Sequence, residues 1–171
     1  MIKGQRKANG SFELSEAPSH LIRRCQQFYG DLYAREAGSC ELTKQQYIVL
    51  AALEQHDGAS QTTLVEITGI DRSTLAEMVR RMLEKGLLSR ERTEEDQRAN
   101  AVAISPSGRK ALRAARNAAD RAERALLDAL PMPDRLKFIK SLSQIASAAE
   151  AYQANGNGKG FRIPRRNGKR F

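Results

Sequence analysis

At 171 residues, with 40% hydrophobic and 5% aromatic content and no tryptophan, the chain is sized for one domain with tails and favours a mostly α fold rich in Ala, Leu, Arg, Glu and Gln. The formal net charge is +9, carried by Lys3, Arg6 and Lys7 in residues 1–10 and by Lys159, Arg162, Arg165, Arg166, Lys169 and Arg170 in residues 155–171, so residues 11–154 balance at 20 basic against 20 acidic. No apolar run approaches the roughly 20 residues of a membrane span, the N-terminus lacks a signal-peptide core, and Cys25 and Cys40 fit no metal-ligand spacing, so the expectation is a cytoplasmic protein without metal, cofactor or membrane partner.

In chain order, Pro18–Ala37 predicts helix 1. Leu21, Ile22, Cys25, Phe28, Tyr29, Leu32 and Tyr33 fall at helical spacing and Gly38 stops the run. Thr43-Lys44-Gln45-Gln46 is a capping box that opens helix 2, which runs to about Gln55 with Ile48, Leu50, Ala51 and Leu53 on its buried side. His56-Asp57-Gly58 is a turn. Ser60 caps a short helix 3 ending near Thr68, and Gly69 suits the left-handed position behind it. Asp71 caps helix 4, with Ile70 and Leu75 at the staple positions and Leu75, Met78, Val79, Met82 and Leu83 forming its apolar stripe; Gly86 ends it.

Two helices joined by a short Gly-containing turn form a helix-turn-helix pattern. Leu88–Arg92 and Ala99–Ser105 then predict a hairpin, with the polar run Thr93–Arg98 at its tip. Ser105-Pro106 restarts a helix with a cap residue and a proline at the first helical position. Helix 5 runs to about Ala129, Pro131-Met132-Pro133 interrupts, and helix 6 runs from about Asp134 to Tyr152. Its face carries Leu136, Ile139, Leu142, Ile145, Ala146, Ala149 and Tyr152. The fold class is mostly α with a small β-hairpin wing.

The segment from Leu42 to Gly108 resembles the MarR family of winged helix-turn-helix transcription regulators. The matching pieces are Leu42-Thr43, Ile70-Asp71-Arg72-Ser73-Thr74, Leu83-Glu84-Lys85-Gly86-Leu87-Leu88, and Asp96-Gln97-Arg98 through Ile104-Ser105-Pro106-Ser107-Gly108. The resemblance implies a homodimer joined through helices 1, 5 and 6, with the two winged helices on a double-stranded, roughly palindromic operator and a small molecule releasing the DNA. The chain divides accordingly into a basic flexible arm (1–17), helix 1 (18–41), the DNA-binding domain (42–105), helices 5 and 6 (106–153) and a basic, disordered tail (154–171).

The side of helix 4 opposite its apolar stripe presents Ser73, Ala76, Glu77, Arg80, Arg81 and Glu84, with Arg72, Ser73 and Thr74 in the first turn, where a recognition helix meets base edges. Arg72 suits a bidentate contact to guanine, and Ala76 or the Thr74 methyl suits a thymine methyl. Glu77 departs from the basic or neutral residue that many relatives carry. It either accepts from cytosine N4 or pairs with Arg80 or Arg81 and positions them. By resemblance Arg98 at the wing tip enters the minor groove and Asp96 braces it; Arg90 and Arg92 fall on the strand face of Leu88 by alternation, where phosphate at the wing's base is the expected contact.

Family members often bind aromatic carboxylates, phenolics or thioesters such as those of coenzyme A, in a pocket bounded by helices 1, 2 and 5. Here that implies Arg23 or Arg24 for an anion and Gln46 or Tyr47 for a ring substituent. Two other readings stand beside a ligand-released repressor. One is a thiol-based redox sensor acting through Cys25, and the other is a non-specific nucleic-acid binder acting through the basic tails. His20 and His56 stand in no catalytic motif, so an enzyme is not expected.

Overall fold

The computed structural model describes residues 13–38, 40–90 and 101–154. They fall into two compact units, one ending at Leu127 and one beginning at Asp128. The first opens with a 3-10 turn, Leu14–Glu16, followed by α1 (Pro18–Ala37), α2 (Lys44–Gln55), α3 (Gln61–Thr68), α4 (Arg72–Glu84), β1 (Leu88–Arg90), β2 (Val102–Ile104) and α5 (Pro106–Asp128).

The caps written in the sequence form as expected. The Gln46 amide donates to Thr43 Oγ1 at 3.2 Å, and the Thr43 amide donates to Gln46 Oε1 at 3.0 Å, completing the box at α2. Ser60 Oγ accepts from the Thr63 amide at 3.1 Å to start α3. Gly69 then takes a left-handed φ of 66°, where a side chain would cost strain. Each cap satisfies amides that the first turn of a helix otherwise leaves open.

The core of this unit collects one face from each of α2, α3, α4, β1, β2 and α5. Val49, Leu50, Leu53, Leu64, Leu75, Met82, Val102 and Leu112 are each buried within it, and burying one such side chain contributes roughly 1.5–3 kcal/mol. The buried side of α2 is rotated from the expected one. Val49 and Ala52 are buried along with Leu50 and Leu53, whereas Ile48 and Ala51 are only half-buried. A second cluster joins α1 to α5 through Leu32, Tyr33, Ala119 and Ala122. On α5 the inward row Gly108, Leu112, Ala115, Ala118, Ala119 and Ala122 consists almost wholly of small residues, which lets the helix approach its neighbours closely.

The hairpin pairs antiparallel in the register Leu88 with Ile104, Ser89 with Ala103 and Arg90 with Val102. An isolated bridge, Ser60 with Ala101, adds the turn before α3 to its edge. All three residues of β2 are buried, so Ala103 is covered as well as Val102 and Ile104, and the strand is enclosed on both faces rather than half-exposed. β1 is described only to Arg90, because residues 91–100 lie outside the described residues, and β2 is shorter than the expected Ala99–Ser105 also because Ala101 forms only the isolated bridge and Ser105 turns to cap α5.

The second unit contains α6 (Met132–Ala154). It starts two residues before the expected Asp134, taking Met132 and Pro133 into its first turn. Proline is compatible there because its missing N–H is one the helix could not have paired. Arg135 closes this end, bonding Asp128 at 2.8 Å and the Leu130 carbonyl at 3.2 Å. Among the described residues no helix is long and apolar enough to cross a membrane.

Candidate nucleic-acid interface

The hydrophilic side of α4 stands clear of its own unit. Leu75, Val79 and Met82 are buried, whereas Arg72, Ser73, Thr74, Glu77, Arg80, Arg81 and Glu84 are exposed and Ala76 is half-buried. One strongly amphipathic helix therefore offers one continuous polar face. Its N-terminal end is pinned by Asp71, whose Oδ1 accepts from the Thr74 amide at 2.9 Å and from Ser73 Oγ at 2.7 Å. The bonds from Thr74 and Ser73 hold the Asp71 carboxyl down at about 2, because hydrogen bonds to the charged form favour it. Arg72 reaches back to α3, its Nη2 lying 3.4 Å from Thr62 Oγ1.

The C-terminal end is fixed to the start of α5. Gly86 takes a φ of 68° and its carbonyl accepts from both the Ser105 and the Ser107 hydroxyls. The Ser105 amide donates to the Leu87 carbonyl at 3.2 Å, and Ser105 Oγ also accepts from the Gly108 amide at 3.0 Å. Ser105 thus caps α5 and ties down the turn behind α4 at once.

Of the two roles open to Glu77, the structure shows pairing. Arg80 donates from Nε to Glu77 Oε2 at 2.9 Å and from Nη2 to Oε1 at 2.7 Å, and Arg81 donates from Nε to Oε1 at 2.7 Å. Arg80 Nη1 also bonds Glu84. The two guanidinium groups, Arg80 first, hold the Glu77 carboxyl down at about 2. Arg90 is exposed at the end of β1, although Leu88, on the same side by alternation, is buried. Arg92, Asp96 and Arg98 lie outside the described residues.

The residues expected to hold a small molecule separate into two groups. Arg23 and Arg24 do come together. With Gln26, Gln27 and Gly30 of α1 and Lys44 of α2 they line a recess of about 330 Å³. Lys44 Nζ also stands 5.5 Å from the centre of the Tyr29 ring. Gln46 and Tyr47 lie elsewhere. Gln46 spends its side-chain oxygen on the α2 cap, and Tyr47 packs against Tyr33 with ring centres 6.0 Å apart. Tyr33 is buried, its hydroxyl 3.3 Å from the Leu42 carbonyl, and burial pushes both Tyr29 and Tyr33 up to about 12.

Lys44 and Arg116 are the cations here that sequence reasoning did not single out. Arg116 pairs with Glu54. The only sequence signal for it was its place beside the small-residue row of α5. A larger open recess of about 620 Å³, bounded in part by Cys40, Leu42, Lys85, Leu87 and Lys110, was also not anticipated. Cys25 is exposed on α1, together with Leu21, Ile22 and Phe28 of the same stripe.

Comparison with known proteins agrees with this geometry. The MarR family profile matches residues 41–99. The transcriptional regulator HosA of Escherichia coli is 34% identical over 100 residues, which is 58% of this chain and 74% of HosA. The HTH-type transcriptional repressor NicR of Pseudomonas putida is 28% identical over 100 residues, again 58% of this chain; the match spans 63% of NicR, under two thirds of its length. Among solved structures, the transcriptional repressor CouR bound to a 23-mer DNA duplex superposes with a TM-score of 0.70 at 28% identity, covering 78% of this chain and 95% of CouR. CouR bound to p-coumaroyl-CoA gives a TM-score of 0.69 at 27% identity, covering 78% and 94%. With the helix-turn-helix, the hairpin and the flanking helices in the same order, this chain belongs to the MarR family and is a transcriptional regulator.

Proposed function

We propose that the chain is a homodimeric, sequence-specific repressor that holds a palindromic operator through the exposed face of α4 and releases it on binding a small organic anion. The observation that carries this reading is the α4 face itself. It is backed by buried Leu75, Val79 and Met82 and pinned at both ends, and it presents Arg72, Ser73 and Thr74 in its first turn. Such a helix can enter a major groove without unfolding anything behind it. Ala76, Glu77, Arg80 and Arg81 continue the face, Arg90 is exposed at the end of β1, and Arg92, Asp96 and Arg98 are the further residues assigned to DNA contact. CouR, similar to this chain over most of its length, is a repressor bound to DNA.

Support for a homodimer comes from apolar rows that each unit leaves open. Leu21, Ile22 and Phe28 are exposed on α1, and Leu136, Ile139, Leu142 and Ile145 on α6. An exposed apolar row on one helix marks an association face, and a second copy related by twofold symmetry is the occupant assigned to each row. Support for an anionic effector comes from the recess formed by Arg23, Arg24 and Lys44, three cations suited to a carboxylate or to the phosphates of a thioester. CouR also has a structure with p-coumaroyl-CoA.

The test is selection of binding fragments from sheared genomic DNA by the full chain, with and without residues 155–171, followed by competition with aromatic acids and their coenzyme A thioesters. Enrichment of one palindromic site that survives tail removal supports the reading. Binding that ignores sequence and vanishes with the tail favours a non-specific binder instead. Peroxide treatment that leaves operator affinity unchanged removes the Cys25 alternative.

A further inference from the structure

We propose that Glu77 is a positioning residue that divides the two arginines behind it, locking Arg80 out of DNA contact and presenting Arg81 as a pre-aimed fork. The inference rests on the DNA-binding reading of α4 and concerns how that face discriminates between sequences.

The two guanidinium groups are held differently. Arg80 is bracketed: Nε and Nη2 meet the two oxygens of Glu77, and Nη1 meets Glu84. All three of its nitrogens are engaged by carboxylates one turn away on either side. Arg81 is tethered at one point, Nε to Glu77 Oε1 at 2.7 Å. Among the described residues no carboxylate meets its terminal nitrogens, and its side chain remains 64% exposed. Reading guanine through O6 and N7 requires two donors presented together. Arg81 keeps its terminal pair, and the bond at Nε fixes the plane in which that pair lies. Each nitrogen of Arg80 already holds a carboxylate, so although its two terminal nitrogens each keep one further N–H, turning that pair to a base edge means leaving Glu77 or Glu84.

The same arrangement acts against DNA of the wrong sequence. Sequence-independent affinity comes from cations that neutralise phosphates and release counterions. On the α4 face Glu77 and Glu84 offset two of the three arginines, and Arg72 alone has no carboxylate partner among the described residues, its side-chain bond going to Thr62. A random duplex therefore meets a face on which Arg80 must first leave its carboxylates and the charge of Arg81 is partly offset, while Glu77 itself repels the backbone. A matched site gains the oriented Arg81 contact without breaking the tether. The carboxylate thus weakens all complexes but weakens mismatched ones more, which is how specificity is raised by a repulsive element.

The experiment compares the full-length wild type with Glu77→Gln, which keeps the side-chain shape and removes the charge. Each is titrated with a mixed-sequence duplex of two helical turns across a salt series, and each is put through site selection from a randomised duplex pool. Thermal unfolding confirms that both are folded. The expected result is that Glu77→Gln binds the mixed-sequence duplex roughly fivefold tighter, with a salt slope steeper by about one to two counterions per helix, and selects a less defined site. Arg81→Ala should erase preference at one base position in each half-site, and Arg80→Ala should leave the selected site intact. If the wild type selects a site, but Glu77→Gln leaves both salt slope and mixed-sequence affinity unaltered, the positioning role is wrong and the regulator reading stands. If the wild type selects no site at all, both fail together.

Discussion

Gly108 sets up a contest between two opposing effects, and the structure decides its sign. The residue is buried in the first turn of α5. A methyl group built on it would fall well inside 3.0 Å of the Leu87 carbonyl oxygen and at 3.1 Å from Ile104 Cγ1. Helix propensity alone makes Gly→Ala favourable by about 1 kcal/mol. Against this, the Leu87 carbonyl is backbone, already accepts the Ser105 amide at 3.2 Å, and belongs to the turn held by Ser105 and Ser107 through Gly86. Relief requires α5 or the start of β1 to move by about 1 Å in a packed interior, and overpacking of this kind costs roughly 1–3 kcal/mol or more.

Taking the upper part of that range, Gly108→Ala should destabilise by about 2 kcal/mol net and lower Tm by about 4–8 °C. The internal control is Gly30 on α1, where the nearest atom to an added methyl is the flexible Lys44 Nζ at 3.7 Å. There the propensity effect acts alone, and Gly30→Ala should raise Tm by about 1–4 °C. Both variants are measured by thermal circular dichroism at one fixed protein concentration, because the Tm of any self-associating chain depends on it. If Gly108→Ala melted at or above the wild-type temperature, the close approach of α5 to Leu87 would not exist in solution.

Three further outcomes follow from the same packing and electrostatics. Leu75→Ala, at a side chain with no exposure in the core beneath α4, should cost about 2–5 kcal/mol in urea unfolding; a loss under 1 kcal/mol would mean that α4 is not seated as described. The Asp71 carboxyl is held down at about 2 by the Thr74 and Ser73 bonds. Its folded value lies below its unfolded one, so its stabilisation is full above about pH 4 and fades as pH falls toward 2. Asp71→Asn should therefore flatten that part of the acid-unfolding curve, and an unchanged curve would contradict the cap. Replacing Leu142 and Ile145, both exposed on α6, with glutamate should halve the mass seen by light scattering if that row is an association face, whereas an unaltered mass would place the contact elsewhere.

Local chemistry was the most legible part of the sequence. Thr43, Ser60, Asp71 and Ser105 each announce a helix start through short-range bonds to the next three residues, and all four form. The α4 stripe was also readable, because Leu75, Val79 and Met82 face a single core and nothing else competes for them. The inner face of α2 was not, since α2 packs on one side into the main core and on another against Tyr33, through Tyr47. An apolar residue there is no guide to which side is the deeper one. The stripe of α1 misled in the same way. Its periodicity was real, but within this chain only Leu32 and Tyr33 are buried on it, because a helical pattern registers that a face is apolar without saying which molecule covers it.

Candidate-site residues divide along the same line. Which residues occupy the polar side of α4 follows from counting along one helix, so the exposed face from Arg72 to Arg81 was legible. How its charges pair was not, because Glu77 has Arg80 at i+3 and Arg81 at i+4, and sequence spacing permits either, both or neither. Three-dimensional placement resolves it by giving Arg80 two carboxylates and Arg81 one. The cation group at Arg23, Arg24 and Lys44 shows the same limit across elements. Two of its members are neighbours in sequence and were expected. The third comes from the first turn of α2 and joins them only because the capping box at Thr43 fixes where that helix begins. A shift of α2 by one residue along its own sequence would turn Lys44 by about 100° about the helix axis, away from Arg23 and Arg24, so the cap at Thr43 and the buried Val49, Leu50 and Leu53 together fix the helix phase that lets three positive charges share one site.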